Sequence, residues 1–318
     1  MRYAIRRLLL AVPLVLSTTF VVFSMLKLIK GDPAQAILGT SYTPEAAARL
    51  TKEFGLDQPF LIQYFRWLGN TLTGDFGYSY FSREPISQII ARSLPVSLQL
   101  VTLTMIITLS VSIPLGIYSA YRVGGIFDRV VTSFAFASIA IPGFVFGLLL
   151  LKFVSIPTKF PRGQYVPLSE ASNPFQSWQH LLFPAMSLSF GLIANYLRTL
   201  RTDMVATLQE DFISLAKTKG ISDRRILWRH ALRPSSVTLV TVAGVNIGGL
   251  IGGTVITEQL FVLPGLGKLI LNNLLARDYL VVLSAVTIIT IAFVLLTTLV
   301  DILYGVIDPR VRHMRALA

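Results

Sequence analysis

The chain contains no cysteine among its 318 residues, and only 14% of it is charged. The first absence excludes disulfides, thiolate metal sites and cysteine nucleophiles, and it says nothing about compartment. The second excludes an ordinary soluble domain, in which about a quarter of the residues are charged. Acidic residues are scarcer than basic ones, 16 against 28, for a formal net charge of +12. That excess is distributed over segments flanking long apolar runs, where membrane topology and anionic lipid account for it; no nucleic-acid partner is expected. The three histidines, His180, His230 and His313, lie in separate loops. No H-E-x-x-H or G-x-S-x-G pattern occurs. The phosphate cradle G-x-x-x-x-G-K-[ST] is missing too: Gly267-Lys268 is followed by Leu269, and position 262 is valine. The chain is therefore expected to be no enzyme and to hold neither ATP nor a metal itself.

What is present is apolar: 53% of the residues are hydrophobic and the mean hydropathy is +0.66. Runs of roughly 20 apolar residues stand at Leu8–Ile29, Val96–Ala120, Val130–Ser155, Leu181–Leu200, Ser235–Ile256 and Leu280–Gly305. The expected fold is an all-α integral membrane protein with six transmembrane helices. The first run is too long for the apolar core of a cleaved signal and has no small-residue cleavage site, so it is expected to remain as a span. Arg2, Arg6 and Arg7, then Arg122 and Arg129, then the basic residues from Arg198 to Arg233, then Arg310, Arg312 and Arg315 fall on one side, which predicts cytoplasmic termini.

One polar stretch interrupts the apolar runs: Leu208 to Pro234, LQEDFISLAKTKGISDRRILWRHALRP. Phe212, Leu215 and Ala216 are spaced i, i+3, i+4, the signature of one helical face. Gly220 then ends the helix in the left-handed conformation of a Schellman turn, with Ile221 covering Ala216. Ser222 restarts the chain as an N-cap, Asp223 favours the new first turn, and Pro234 marks the end of the second helix. The expectation is two short helices joined by a glycine turn.

The spacing Ala216, Gly220, Leu232 resembles the cytoplasmic EAA loop of permease subunits of ATP-binding cassette (ABC) importers, which docks into a groove on the ATPase subunit. Ser214 stands where the usual glutamate would be, Leu215 where the first alanine would be, and Pro234 comes one residue late after Arg233. These departures resemble the dipeptide, oligopeptide and nickel branch. The succession Gly31-Asp32-Pro33, then Phe54-Gly55-Leu56-Asp57-Gln58-Pro59, then Gly74-Asp75-Phe76-Gly77-Tyr78-Ser79 is similar to the N-terminal extension of the B-type permease of that branch. Glu258-Gln259-Leu260-Phe261 with Leu263-Pro264-Gly265-Leu266-Gly267 resembles the family's external re-entrant segment, and Asp308-Pro309-Arg310 its ending. The resemblance implies a type I importer permease in the inner or plasma membrane of a prokaryote. It also implies a C-type permease as heterodimer partner, two ATPase subunits that carry ATP and Mg, and an external substrate-binding protein. Dipeptides or oligopeptides are the implied cargo, with nickel or another small solute as the alternative.

The implied division is residues 1–93 for the first span and an external helical segment, 94–307 for the permease core, and 308–318 for a tail. ATPase coupling is expected of Ser214, Leu215, Ala216, Lys217, Lys219, Gly220, Ile221, Arg224, Arg225, Arg229 and His230; for each basic residue a solvated inside-positive role is the alternative. In the external segment, Pro44–Leu56 and Gln63–Leu72 read as short helices, with Tyr64, Phe65 and Trp67 at home either at a membrane interface or against a partner. Pro142-Gly143 predicts a kink in the third span, and Pro157–Gln179, with four prolines, an irregular loop. In the fifth span Gly244, Gly248, Gly249, Gly252 and Gly253 form small-xxx-small pairs that predict a close helix crossing. Asn195, Tyr196, Asn246 and Glu258 are the polar candidates for lining a pathway; bonding between helices explains the first three equally, and Glu258 also suits the membrane surface. Asp301 lies near the inner end of the last span, where a basic partner or hydration is expected. A secondary transporter would need inverted repeats or buried coupling-ion sites, and neither stands out.

Overall fold

The computed structural model describes residues 2–28, 38, 42–53, 55, 57–161, 165–167, 170 and 173–307, the side chains of 2–11, 26–28, 174, 251–252 and 300–307 excepted. Among these the only sheet-like pairing is an isolated bridge between Tyr78 and Pro85. The helices in order are α1 (Arg2–Leu28), α2 (Pro44–Glu53), α3 (Phe60–Leu72), α4 (Ile86–Tyr121), α5 (Ile126–Ala140), α6 (Gly143–Leu150), α7 (Pro174–Leu208), α8 (Asp211–Thr218), α9 (Leu232–Gly253), α10 (Val255–Leu260), α11 (Leu266–Ala276) and α12 (Tyr279–Ile307). The protein is an all-α integral membrane protein. Among the described residues, α4, α7 and α12 are each long and apolar enough to cross a bilayer, and α5 with the stretch Gly143–Thr158, in which α6 continues through a π turn at Leu151–Ser155, makes a fourth crossing if taken as one broken span. Helices α1 and α9 occupy the first and fifth expected positions.

The chain forms two compact units, Met1–Ser97 with Pro264–Val294, and Leu98–Leu263 with Leu295–Ala318. In the first, Phe23, Tyr64, Trp67, Val282 and Leu283 make one apolar cluster, and Ile86, Ile90, Leu266 and Val281 another. Asp278, fully buried between α11 and α12, is held by the Ser79 hydroxyl (2.6 Å) and the Tyr80 N–H (2.9 Å), both donating to Oδ2. Burial pushes the Asp278 carboxyl above its ordinary range, against the lowering effect of those donors. Burial and the Asp278 charge push the Tyr80 phenol up as well.

The second unit centres on a cluster that includes Ile117 and Ala120 of α4, Leu200 and Met204 of α7, and Leu239 and Ala243 of α9. Instead of a kink, Pro142-Gly143 produces a break that bends α5 and α6 by 99°. The break seats α6 directly on α7. A Cβ on Gly143 would lie 2.7 Å from the Ser187 carbonyl oxygen, and one on Gly147 2.5 Å from the Ser187 hydroxyl, which itself donates to the Gly143 carbonyl at 2.8 Å. A close crossing thus uses Gly143 and Gly147, a small-xxx-small pair in the third span. Of the fifth-span glycines, Gly244 and Gly248 are buried, whereas Gly249 and Gly253 face open space with nothing within 4 Å of an added Cβ. Gly252 is in α9, its surroundings outside the described residues.

The two short helices expected after the first span form as α2 and α3, and the chain after α2 turns at Gly55 with φ +62. Gly31-Asp32-Pro33, Phe54, Leu56, Asp308-Pro309-Arg310 and the tail lie outside the described residues, as do the side chains of Asp301 and Tyr304.

Candidate functional site

The polar stretch 208–234 folds as an elbow built on two long helices. Helix α7 has 35 residues, or about 52 Å at 1.5 Å per residue, well beyond the ~30 Å of bilayer hydrocarbon. It ends at Leu208, and the chain breaks at Gln209–Glu210 before α8 begins. Helix α8 closes with both Schellman bonds: Gly220 N–H to the Lys217 carbonyl (2.9 Å) and Ile221 N–H to the Ala216 carbonyl (3.2 Å), with Gly220 at φ +73. Ala216 is buried and Ile221 packs on the same cluster.

The restart differs from expectation in two ways. Ser222 sits at the N-cap, but its carbonyl accepts the Ile226 N–H while its hydroxyl makes no cap bond. Pro234 ends nothing: a turn at Asp223–Arg225 runs through a π turn, Ile226–Ala231, straight into α9. A regular α-helix would drive the proline ring into the carbonyl four residues earlier, and the wider π turn just upstream removes that conflict. The second arm of the elbow is therefore the fifth span itself.

The two faces of α8 also differ from the expected pattern. Ile213 and Ala216 turn inward to join Ile226, Leu227, Ala231 and Met204 in one core. Phe212 and Leu215 point outward, 46% and 56% exposed. The apolar repeat was real but belonged to two faces. Ser214, Lys217, Lys219, Gly220, Arg224, Arg225 and Arg229 are exposed on the elbow, and His230 is half-buried with its Nε2 lacking a hydrogen-bond partner. The Ser235 hydroxyl donates to Thr207 Oγ1 (2.8 Å), and the Tyr121 hydroxyl at the end of α4 donates to Asp223 Oδ2 (2.7 Å). A cavity of about 250 Å³ beneath the elbow is lined in part by Tyr121, Leu208, Gln209, Lys217, Asp223 and Leu227.

Sequence reasoning missed a second brace beside the elbow. Arg201 of α7 grips Asp128 of α5 through two bonds, Nε to Oδ1 at 2.6 Å and Nη2 to Oδ2 at 2.7 Å. Ser119, the Gly124 N–H and Thr132 also donate to the carboxylate. Arg201 looked like one more inside-positive residue; the available signal was Asp128, a lone acid at the mouth of an apolar run.

The pathway candidates separate. Tyr196 is fully buried, its hydroxyl 3.9 Å from Met105 Sδ, and Glu258 is fully buried with the Thr254 hydroxyl donating to Oε1 at 2.7 Å. Both are buried within the chain. Asn195 and Asn246 are half-buried.

The chain matches the family model of binding-protein-dependent transport system inner membrane components over residues 112–313, and the model for the N-terminal part of such membrane components over residues 1–101. It is 35% identical over 313 residues to the oligopeptide transport system permease protein AppB of Bacillus subtilis, covering 98% of this chain and 99% of that one. It is 34% identical over 312 residues to the probable peptide ABC transporter permease protein y4tP of Sinorhizobium fredii, with the same coverage. The glutathione transport system permease protein GsiC of Salmonella paratyphi A is 32% identical over 313 residues, again 98% and 99%.

Proposed function

Because this chain belongs to the family of binding-protein-dependent transport system inner membrane components, a family of membrane permeases and not of enzymes, we propose that it forms half of a peptide pathway driven from its elbow. In this reading it is the B-type subunit: it pairs with a C-type permease, receives two ATPase subunits that carry ATP and Mg, and takes dipeptides or oligopeptides from an external binding protein. Peptide-transport relatives along the full chain support the cargo assignment. The inside-positive pattern supports cytoplasmic termini and a cytoplasmic elbow.

The observation that carries the mechanism is the split of α8. Its inner face is continuous with the core of α4, α7 and α9, while Phe212 and Leu215 project outward. A displacement of the outer face is transmitted to both spans at once, because Ile213 and Ala216 are packed in the same core as Leu200 and Met204 of α7 and Leu239 and Ala243 of α9.

The test is co-purification of the tagged chain with its ATPase, followed by peptide uptake in proteoliposomes. Wild type retains the ATPase; Phe212→Asp with Leu215→Asp inserts normally, loses the ATPase and does not transport. A variant that keeps both ATPase and uptake removes α8 from the coupling role. Uptake of nickel and no peptide would replace the cargo and leave the coupling intact.

A further inference from the structure

Helix α3 has three faces where an ordinary surface helix has two. At about 100° per residue, Phe60, Tyr64 and Trp67 point one way, Leu61, Phe65 and Leu72 a second way, and Gln63, Arg66 and Asn70 a third. The first face is packed against α1. Phe60 and Tyr64 meet Phe20 and Phe23 with ring centroids 5.2 to 5.9 Å apart, and the Tyr64 hydroxyl donates to the Leu16 carbonyl at 3.2 Å, with Thr19 Oγ1 3.1 Å away. The second face is bare: Leu61, Phe65 and Leu72 are 54%, 63% and 79% exposed. The third holds the charge and the amide groups.

The register of α1 fixes where that bare face lies. Residues 8–26 carry no charge and are bracketed by Arg7 and Lys27; they span about 28 Å of helix, matching the ~30 Å hydrocarbon layer. Phe23 is then about 6 Å and Phe20 about 10 Å inside the boundary at Lys27, and the Leu16 carbonyl, which α3 reaches through the outstretched Tyr64 hydroxyl, about 16 Å. A helix docked on those two rings lies at the depth taken by interfacial amphipathic helices, whose apolar faces reach about 5–10 Å into the boundary.

We infer that α3 lies in the leaflet at the carboxyl end of α1, with Leu61, Phe65 and Leu72 among lipid acyl chains and Arg66 and Asn70 at the headgroups. In the proposed orientation this is the outer leaflet. The external segment is thereby a membrane-embedded collar on the first span. Tyr64 and Trp67, the residues whose chemistry suggests an interface, instead face the protein.

The native absence of cysteine permits a direct test. Phe65→Cys, Leu72→Cys and Asn70→Cys, all at exposed positions, are each labelled with an environment-sensitive fluorophore in the transporter assembled with its partner subunits in nanodiscs. The expected result is loss of fluorescence at 65 and 72 in phosphatidylcholine brominated along its acyl chains, with little effect of aqueous iodide, and the reverse at 70. Quenching of 65 and 72 by iodide would place the face in water, and quenching by neither would place it against another protein; either result overturns the inference. Retention of the ATPase is read separately, so the outcome is independent of the coupling mechanism.

Discussion

At the scale of single residues, Gly220 offers the cleanest perturbation. Its left-handed φ of +73 and the empty space around an added Cβ mean that a substitution meets no neighbour, only the backbone penalty. Gly220→Val is expected to cost about 1–2 kcal/mol there. It should abolish uptake while leaving membrane insertion unchanged, as read by proteoliposome transport against the amount of chain inserted; Gly220→Asn, which tolerates this conformation, should transport. Asp278 carries a pH dependence. Its folded pKa is raised, so the folded state binds the proton more tightly, and its stabilising contribution is full below the unfolded value of about 4 and is lost as pH rises through the folded pKa. Asp278→Asn, which can still accept from Ser79 and Tyr80, should flatten the fall in thermal stability between acid and neutral pH. A slope unchanged in the variant would assign it to another group.

At the scale of elements, the seat of α6 on α7 and the brace between α5 and α7 make separate demands. Gly143→Ala would place a methyl group 2.7 Å from a backbone oxygen that cannot rotate away, so α6 must lift. The expected result is a lower melting temperature of the purified complex, while Gly249→Ala, facing open space, is neutral. Arg201→Ala leaves the buried Asp128 without its countercharge, a loss of about 3–5 kcal/mol; adding Asp128→Ala should recover much of it, measured by thermal unfolding of both variants. These elements also mark where sequence reading reached its limit. The glycine stop, Ile221 on Ala216 and the two short helices α2 and α3 follow from local chemistry, and a linear reading found them. The choice between Phe212 and Ile213 as the buried face does not, because both sides of α8 are apolar and only the packed spans select one. Small-xxx-small pairs occur in two spans, and spacing drew attention to the fifth while the pair in the third, Gly143 and Gly147, which meets Ser187 closely, went unremarked.

At the scale of the whole molecule, the apolar runs and charge bias were enough to establish a helical membrane protein, since hydrocarbon leaves the backbone few alternatives. The same reading divided the chain linearly, whereas residues 264–294 belong to the unit begun by residues 1–97. Local patterns carry no record of such a return. The Asp128–Arg201 pair, 73 positions apart in sequence, escaped for the same reason.

The π turn at Ile226–Ala231 has a consequence for chain length. It is a helix that has absorbed one surplus residue without losing its course, and Pro234 is what makes the surplus useful. Deleting one residue there together with Pro234→Ala should close an ordinary helix and keep 235–253 in phase, whereas the same deletion near Val242 would swing every later side chain by about 100°. Assembly of the first variant and failure of the second would identify this turn as the place along that helix where the gene can shorten.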